Sequence, residues 1–218
     1  MRQHPRRLAI GNVLTVTERV ASASDCALLV GIPLSASRFE EAFRRDSGYI
    51  ARWRVDAGWT ARQVSLAWGV YEHDVASTVR IAAERARSLG AGVFFDASLE
   101  EVELASSRFH VVTLLAHYYE GDGGLELGSE HVGSPQLAHH IGSEFDGVLD
   151  LCTCHSQAMA DEIKRLVPRC LVAWNEQPAS PRFRAKFYLK TLTLLTKQSY
   201  RYTDALFDLR KAFMEAVG

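Results

Sequence analysis

The chain predicts an α/β fold, a mainly parallel central sheet with helices on both faces. Three observations carry that expectation. From residue 64 onward, apolar runs of strand length alternate with amphipathic helical patterns, which favours βα units over hairpins. The runs Val111–His117 and Val148–Ser156 begin with near-continuous hydrophobicity, the signature of strands buried on both faces. A loop and a helical pattern separate them, enough for one crossover between parallel neighbours.

The elements follow in order. Leu8 to Val20 alternates loosely and fits a strand, a hairpin or an arm held by a partner. Cys26-Ala27-Leu28-Leu29-Val30-Gly31-Ile32-Pro33 reads as a buried strand closed by proline, and Phe39 to Arg45 suits a short helix. The region around Trp53 and Trp59 is irregular, as an insertion would be. Val64 to Tyr71 is strand-like. Asp74 then caps a helix with apolar positions at Val75, Val79, Ala82, Ala86 and Leu89, stopped by Gly90. Val93-Phe94-Phe95 is a short strand, and Ser98 with Glu101 forms a capping box for the next helix. After the His117 strand, Gly121 to Gly124 reads as a flexible loop outside the core. Ser134-Pro135 opens a helix, serine as cap and proline in the first turn. Met159, Ile163 and Leu166 mark one face of the helix after Cys154. Cys170 to Trp174 is a last strand. Two amphipathic helices close the chain, the second with Leu206, Leu209 and Phe213 at helical spacing.

With 218 residues, 47% hydrophobic and 23% charged, the composition is that of one ordinary globular domain. Residues 1–63 are expected to belong to the same domain as residues 64–218, which hold the α/β core. A net charge of -1 offers no basic footprint for nucleic acid. No apolar stretch approaches the roughly 18 residues of a membrane span. The basic N-terminus lacks a continuous apolar signal core, so a reducing cytoplasm is the expected setting. Four cysteines, Cys26, Cys152, Cys154 and Cys170, do not make a disulfide framework at this length. Cys152 and Cys154, two apart on a strand, would share a face.

Each of the two leading runs ends in a side chain that can do chemistry. In open α/β sheets the ligand crevice lies beyond the carboxyl ends of the strands. His117 and Cys154 would emerge at that rim, where an imidazole and a thiol make a base and a nucleophile. A free thiol titrates near ~8.5 and needs help to ionise at neutral pH. The start of the following helix and the imidazole are two sources of that help. A zinc site from Cys152, Cys154, His155, His139 and His140 is disfavoured: adjacent Cys154 and His155 make awkward ligands and no C-x-x-C pair exists. No cofactor is expected. Asp146 and Asp150 read as turn or surface charges. Gly121 to Gly124 lacks the context of a phosphate loop.

Leu151-Cys152-Thr153-Cys154-His155-Ser156 resembles the nucleophile strand of caspase-like (clan CD) cysteine peptidases, and Cys154-His155-Ser156 is similar to the Cys-His-Ser of metacaspases. Over residues 64–213 the arrangement resembles the bacterial CHAT domain. Ala97–Glu103 leads into a strand ending Leu115-Ala116-His117, and Leu171–Trp174, Phe187-Tyr188 and Ala205-Leu206 match the closing elements. The resemblance implies a caspase-like fold and a peptidase dyad, His117 as base and Cys154 as nucleophile. It also implies an oxyanion hole from the amides of Cys154 and Tyr118. Cys152, Trp174 and Glu176 are candidate substrate-binding residues: Cys152 as pocket wall or core, Trp174 as pocket lining or core tryptophan, and Glu176 as a charge after the closing strand. Three positions depart from the pattern. Tyr118 and Gln157 replace glycines, and Cys152 replaces the metacaspase aspartate that holds a basic substrate side chain, so Arg/Lys preference does not carry over. The implied activity is regulated proteolysis of protein substrates in bacterial defence or cell death. A regulatory protein partner or second subunit would supply activation. The alternative, supported by Tyr118 and Gln157, is an inactive caspase-like interaction module.

Overall fold

The computed structural model describes residues 18–45, 61–119, 123–128, 130–175 and 180–217. Five parallel strands form the central sheet: β2 (Cys26–Val30), β3 (Gly92–Phe95), β4 (Val111–Leu115), β8 (Val148–Leu151) and β9 (Leu171–Ala173). Their spatial order is β3-β2-β4-β8-β9. The N-terminal segment thus supplies β2, which lies between β3 and β4.

One face of the sheet packs against α1 (Ala36–Arg45), α2 (Ala61–Tyr71), α3 (Ser77–Ser88), α7 (Pro181–Lys197) and α8 (Tyr202–Val217). The other packs against α4 (Leu99–Arg108), α5 (Ser134–Ile141) and α6 (Gln157–Leu166). Alternation explains the split. Leu28 and Val30 face the first layer while Ala27 and Leu29 face the second, as the two-residue period of a strand requires. The path across the sheet reverses after β3, and the covering helices change face with it, as a single crossover hand demands.

Two smaller sheets complete the fold. β1 (Val20–Ala21) pairs antiparallel with β10 (Tyr200–Arg201). Beside it the buried Glu18 carboxylate accepts hydrogen bonds from the Thr203 amide at 3.0 Å and the Thr203 hydroxyl, capping the start of α8. β5 (His117–Tyr119), β6 (Gly124–Leu127) and β7 (Glu130–Val132) form an antiparallel meander packed on the second face.

Most strands and helices lie where the pattern predicts them, with instructive differences. Val64 to Tyr71 is helix, not strand. The apparent alternation of Val64, Leu66, Trp68 and Val70 misleads because Leu66 and Val70 are exposed, and Val64, Ala67, Trp68 and Tyr71 make the packed face. That is helical spacing, and the Phe39 ring packs at a tilt against both Trp68 and Tyr71, at ring distances of 5.6 and 5.0 Å. Asp74 caps nothing, because α2 runs on through a π-helical turn (Glu72–Ala76) into α3, with the Ser77 amide bonded to the Glu72 carbonyl. Gly90, at φ +100, does end α3. The cap of α5 is Gly133, whose amide donates to Gln136 Oε1 at 3.0 Å, so Ser134 is the first helical residue. Gly124 is not loop but the buried first residue of β6. Leu166 and Phe213 are largely exposed. The expectations for residues 1–17, for Trp53 and Trp59, and for residues 120–122 lie outside the described residues. Among the described residues no helix is long and apolar enough to cross a membrane.

Gly31 sets how the meander meets the sheet. Its amide donates to the Leu115 carbonyl at 3.0 Å, and a Cβ there would lie 2.5 Å from the Glu126 carbonyl of β6. Gly31→Ala is therefore expected to lower stability by about 1–3 kcal/mol, the usual range for overpacking. Urea unfolding of the two proteins checks this; an unchanged midpoint would contradict the tight approach of β6.

Candidate active site

β4 and β8 pair in parallel with Val111 beside Val148 and Leu114 beside Leu151. His117 and Cys154 each lie three residues beyond the last pair, so both leave the sheet at its carboxyl edge from neighbouring strands. Neither sits in the central sheet itself. β4 stops at Leu115 and His117 opens β5, opposite Glu126 of β6. β8 stops at Leu151, so Cys152 to Ser156 form a turn rather than the strand end the pattern predicts. Both His117 and Cys154 are half-buried.

The turn is tight. The Cys152 amide bonds to the Asp150 carbonyl and the Thr153 amide to the Leu151 carbonyl, at 2.9 and 2.7 Å. His155 takes φ +48, one of two non-glycine residues at positive φ among those described. This left-handed conformation is unfavourable for a side chain with a Cβ and persists only where its surroundings hold it. The Thr153 and Ser156 hydroxyls are buried without hydrogen-bond partners among the described residues, at a cost of roughly 1–3 kcal/mol each. Strain and unmet polar groups thus flank the thiol. Ser156 then starts α6, whose first residue is Gln157.

Of the four thiols, Cys154 alone is not buried. Burial pushes Cys152 and Cys170 up to about 12 and raises Cys26 further, so these three stay protonated. Arg184 of α7, itself buried, donates from Nη2 to Cys154 Sγ at 3.6 Å, and its charge also acts on Cys152. The strand geometry expected for the two cysteines is absent.

Asp150 corrects the sequence reading most sharply. It is no surface charge but a buried residue of β8. Its Oδ2 accepts from the Tyr202 hydroxyl at 2.7 Å, and Tyr202 shares a second bond of 3.1 Å with Thr113 of β4. Loss of solvation pushes the carboxyl up; the Tyr202 bond and the charges of Arg210 and Arg184 oppose that rise. Asp146, by contrast, is exposed and pairs with Arg169. Arg210 also bonds Asn175 Oδ1 at 2.7 Å, and Asn175 Nδ2 donates to the Leu151 carbonyl at 3.4 Å, tying the ends of β9 and β8 together.

Comparison with protein-family models, curated proteins and solved structures finds no match. The other candidate residues are placed as follows. Tyr118 lies in β5 opposite Leu125, its ring buried on the second face of the sheet, and its backbone is not at positive φ. Cys152 is buried on the first face. Trp174 is buried among second-face residues with Lys164 Nζ 3.9 Å above its ring, a cation–π contact. Glu176 lies outside the described residues. His139 and His140 sit on α5, where His140 approaches Glu103 of α4 at 3.4 Å. Among the described residues no group of three or more His, Cys, Asp or Glu is arranged to hold a metal ion. Sequence reasoning missed Arg184. The signal was a charge in a buried stripe, since Arg184, Tyr188, Thr191, Leu192 and Leu195 make the packed face of α7.

Because folding raises the Asp150 pKa above its ordinary 3.8, the folded state binds that proton more tightly than the unfolded chain. Its contribution to stability is full below the ordinary value and declines as pH rises toward the raised one. Asp150→Asn keeps an acceptor for Tyr202 but cannot ionise. Its stability relative to wild type should therefore increase from pH 4 to pH 8, read from urea midpoints. A constant difference across that range would mean Asp150 titrates as an ordinary carboxylate.

Proposed function

We propose that the chain is a caspase-like cysteine endopeptidase of the CHAT type, with Cys154 as nucleophile and His117 as general base. One observation carries the reading: the imidazole and the least buried thiol leave adjacent parallel strands at the same level of the sheet's carboxyl edge. The buried positions of the other three cysteines support it, because they leave Cys154 as the thiol open to reaction. The positive φ of His155 supports it too, since such conformations concentrate at functional sites.

The chemistry would run as acyl transfer. The Cys154 sulfur attacks the peptide carbonyl carbon, and His117 carries the thiol proton to the departing amine as the C–N bond breaks. Water, deprotonated by His117, then hydrolyses the thioester and restores the thiol. The amides of Cys154 and Tyr118 are the proposed donors to the oxyanion. An extended Tyr118 backbone removes the need for glycine at that position on conformational grounds. The substrates would be cytoplasmic proteins, cut under the control of a regulatory partner or second subunit in bacterial defence or cell death.

Wild type, Cys154→Ala and His117→Ala are each incubated with the proteins encoded beside this chain, and defined fragments are sought by mass spectrometry. Cleavage should be abolished in Cys154→Ala and reduced by about a thousandfold or more in His117→Ala, as for other members of a nucleophile–base pair. A cut that persists in Cys154→Ala sinks the assignment. Absence of any cut by wild type, with Cys154 alkylated no faster than the buried thiols, favours the inactive interaction module.

A further inference from the structure

The two faces of the meander differ in kind. Tyr118, Leu125 and Val132 are register partners across β5, β6 and β7, and their row packs into the second layer of the core. The next row lies on the opposite face, since side chains alternate along a strand. It consists of His117, Glu126 and His131. Directly opposed residues on antiparallel strands hold their Cβ atoms about 4.5–5.5 Å apart, so each imidazole stands within side-chain reach of the carboxyl between them. The His131 ring lies on Gly124 of the same face, where it leaves no room for a Cβ.

Glu126 is only 4% exposed. Its main chain is pinned as well, because the Glu126 carbonyl closes on Gly31 just after β2, so the central sheet sets its height. A buried carboxyl is retained only against donors or positive charge. An imidazole supplies both, an N–H when neutral and a charge when protonated. His117 is half-buried and stands at the carboxyl edge of the sheet, whereas His131 is exposed. Of the two, His117 is the one that can join a buried carboxyl to the site.

We infer that Glu126 is a positioning residue, whose carboxylate holds the His117 imidazole in one tautomer and orientation. The inference rests on the reading of His117 as general base and deepens it. One ring nitrogen, protonated, donates to Glu126, and the other accepts the thiol proton. When that proton arrives the imidazolium faces a carboxylate, which stabilises the charge without taking the proton. Glu126 touches neither substrate nor sulfur in this scheme; it acts through His117.

Nuclear magnetic resonance tests this without a substrate. The imidazole signals of wild type, Glu126→Gln, Glu126→Asp and His131→Ala are followed from pH 5 to pH 9. His117 is assigned by the signal missing from His117→Ala, and folding is checked by cooperative thermal unfolding. In wild type the carboxylate favours the imidazolium, so His117 in Glu126→Gln should titrate about one pH unit lower. Its ring-nitrogen shifts should also change from one dominant tautomer to a mixture. Glu126→Asp should restore part of the difference, and His131→Ala should lower the titration of His117 by no comparable amount. A glutamate that merely packs would move neither readout. An unchanged His117 titration in folded Glu126→Gln overturns the inference. So does an equal fall in His131→Ala, which would mark general disturbance of the meander. If Glu126→Gln does not fold, the wild-type value decides. Above the roughly 6.5 of an unperturbed imidazole it supports the pairing, and at or below that value the pairing is overturned. Cleavage lost in Cys154→Ala beside an unchanged His117 titration in Glu126→Gln removes the role of Glu126 alone. Cleavage that survives Cys154→Ala removes both readings.

Discussion

The register between β4 and β8 governs this molecule. Each of these strands holds a single polar residue, Thr113 and Asp150, and the two are register partners. Tyr202 of α8 bridges them from above through its hydroxyl. A slip of one residue would turn Asp150 to the opposite face of the sheet, away from Tyr202 and into an apolar layer. A buried polar group without its partner is costly enough to exclude that alternative. The same register brings the chain out of both strands at one level, three residues before His117 and Cys154 respectively. A polar tie in the core thus sets where His117 and Cys154 leave the two strands at the rim.

The site's location follows from what fills the neighbouring space. Strand order reverses between β2 and β4, and in sheets of this topology the crevice at such a switch point is the usual place for a ligand. Here the backbone of β6 passes over Gly31 at that point, with Leu127 and Ala116 beside it. The meander therefore occupies the switch point, and the candidate chemistry lies one strand over, between β4 and β8. Since β6 also pairs with the strand holding His117, the element that fills the crevice is the one that supports His117.

How much of this was legible beforehand varies with the physics involved. Strands β2, β4, β8 and β9 were readable because burial on both faces leaves a near-continuous apolar run. That His117 and Cys154 follow neighbouring strands was readable because both come after such runs. Val64 to Tyr71 was misread because two exposed apolar residues, Leu66 and Val70, imitate a two-residue period. Cys152 to Ser156 looked like strand because apolar and small residues continue past the last ladder bond. Asp150 was misjudged since a lone carboxylate in a sequence carries no mark of burial. Its hydrogen-bond partner, Tyr202, comes from a helix far along the chain.

By itself the sequence determined the layered α/β plan and nominated one thiol and one imidazole, because hydrophobic periodicity and strand ends are local properties. Tertiary structure alone decided which thiol is accessible, that His117 belongs to a separate meander, and that Arg184 lies against Cys154. Those outcomes depend on contacts between residues separated by tens of positions. Burial, charge pairing and register are shared among such residues, so none of them can be read from one segment at a time.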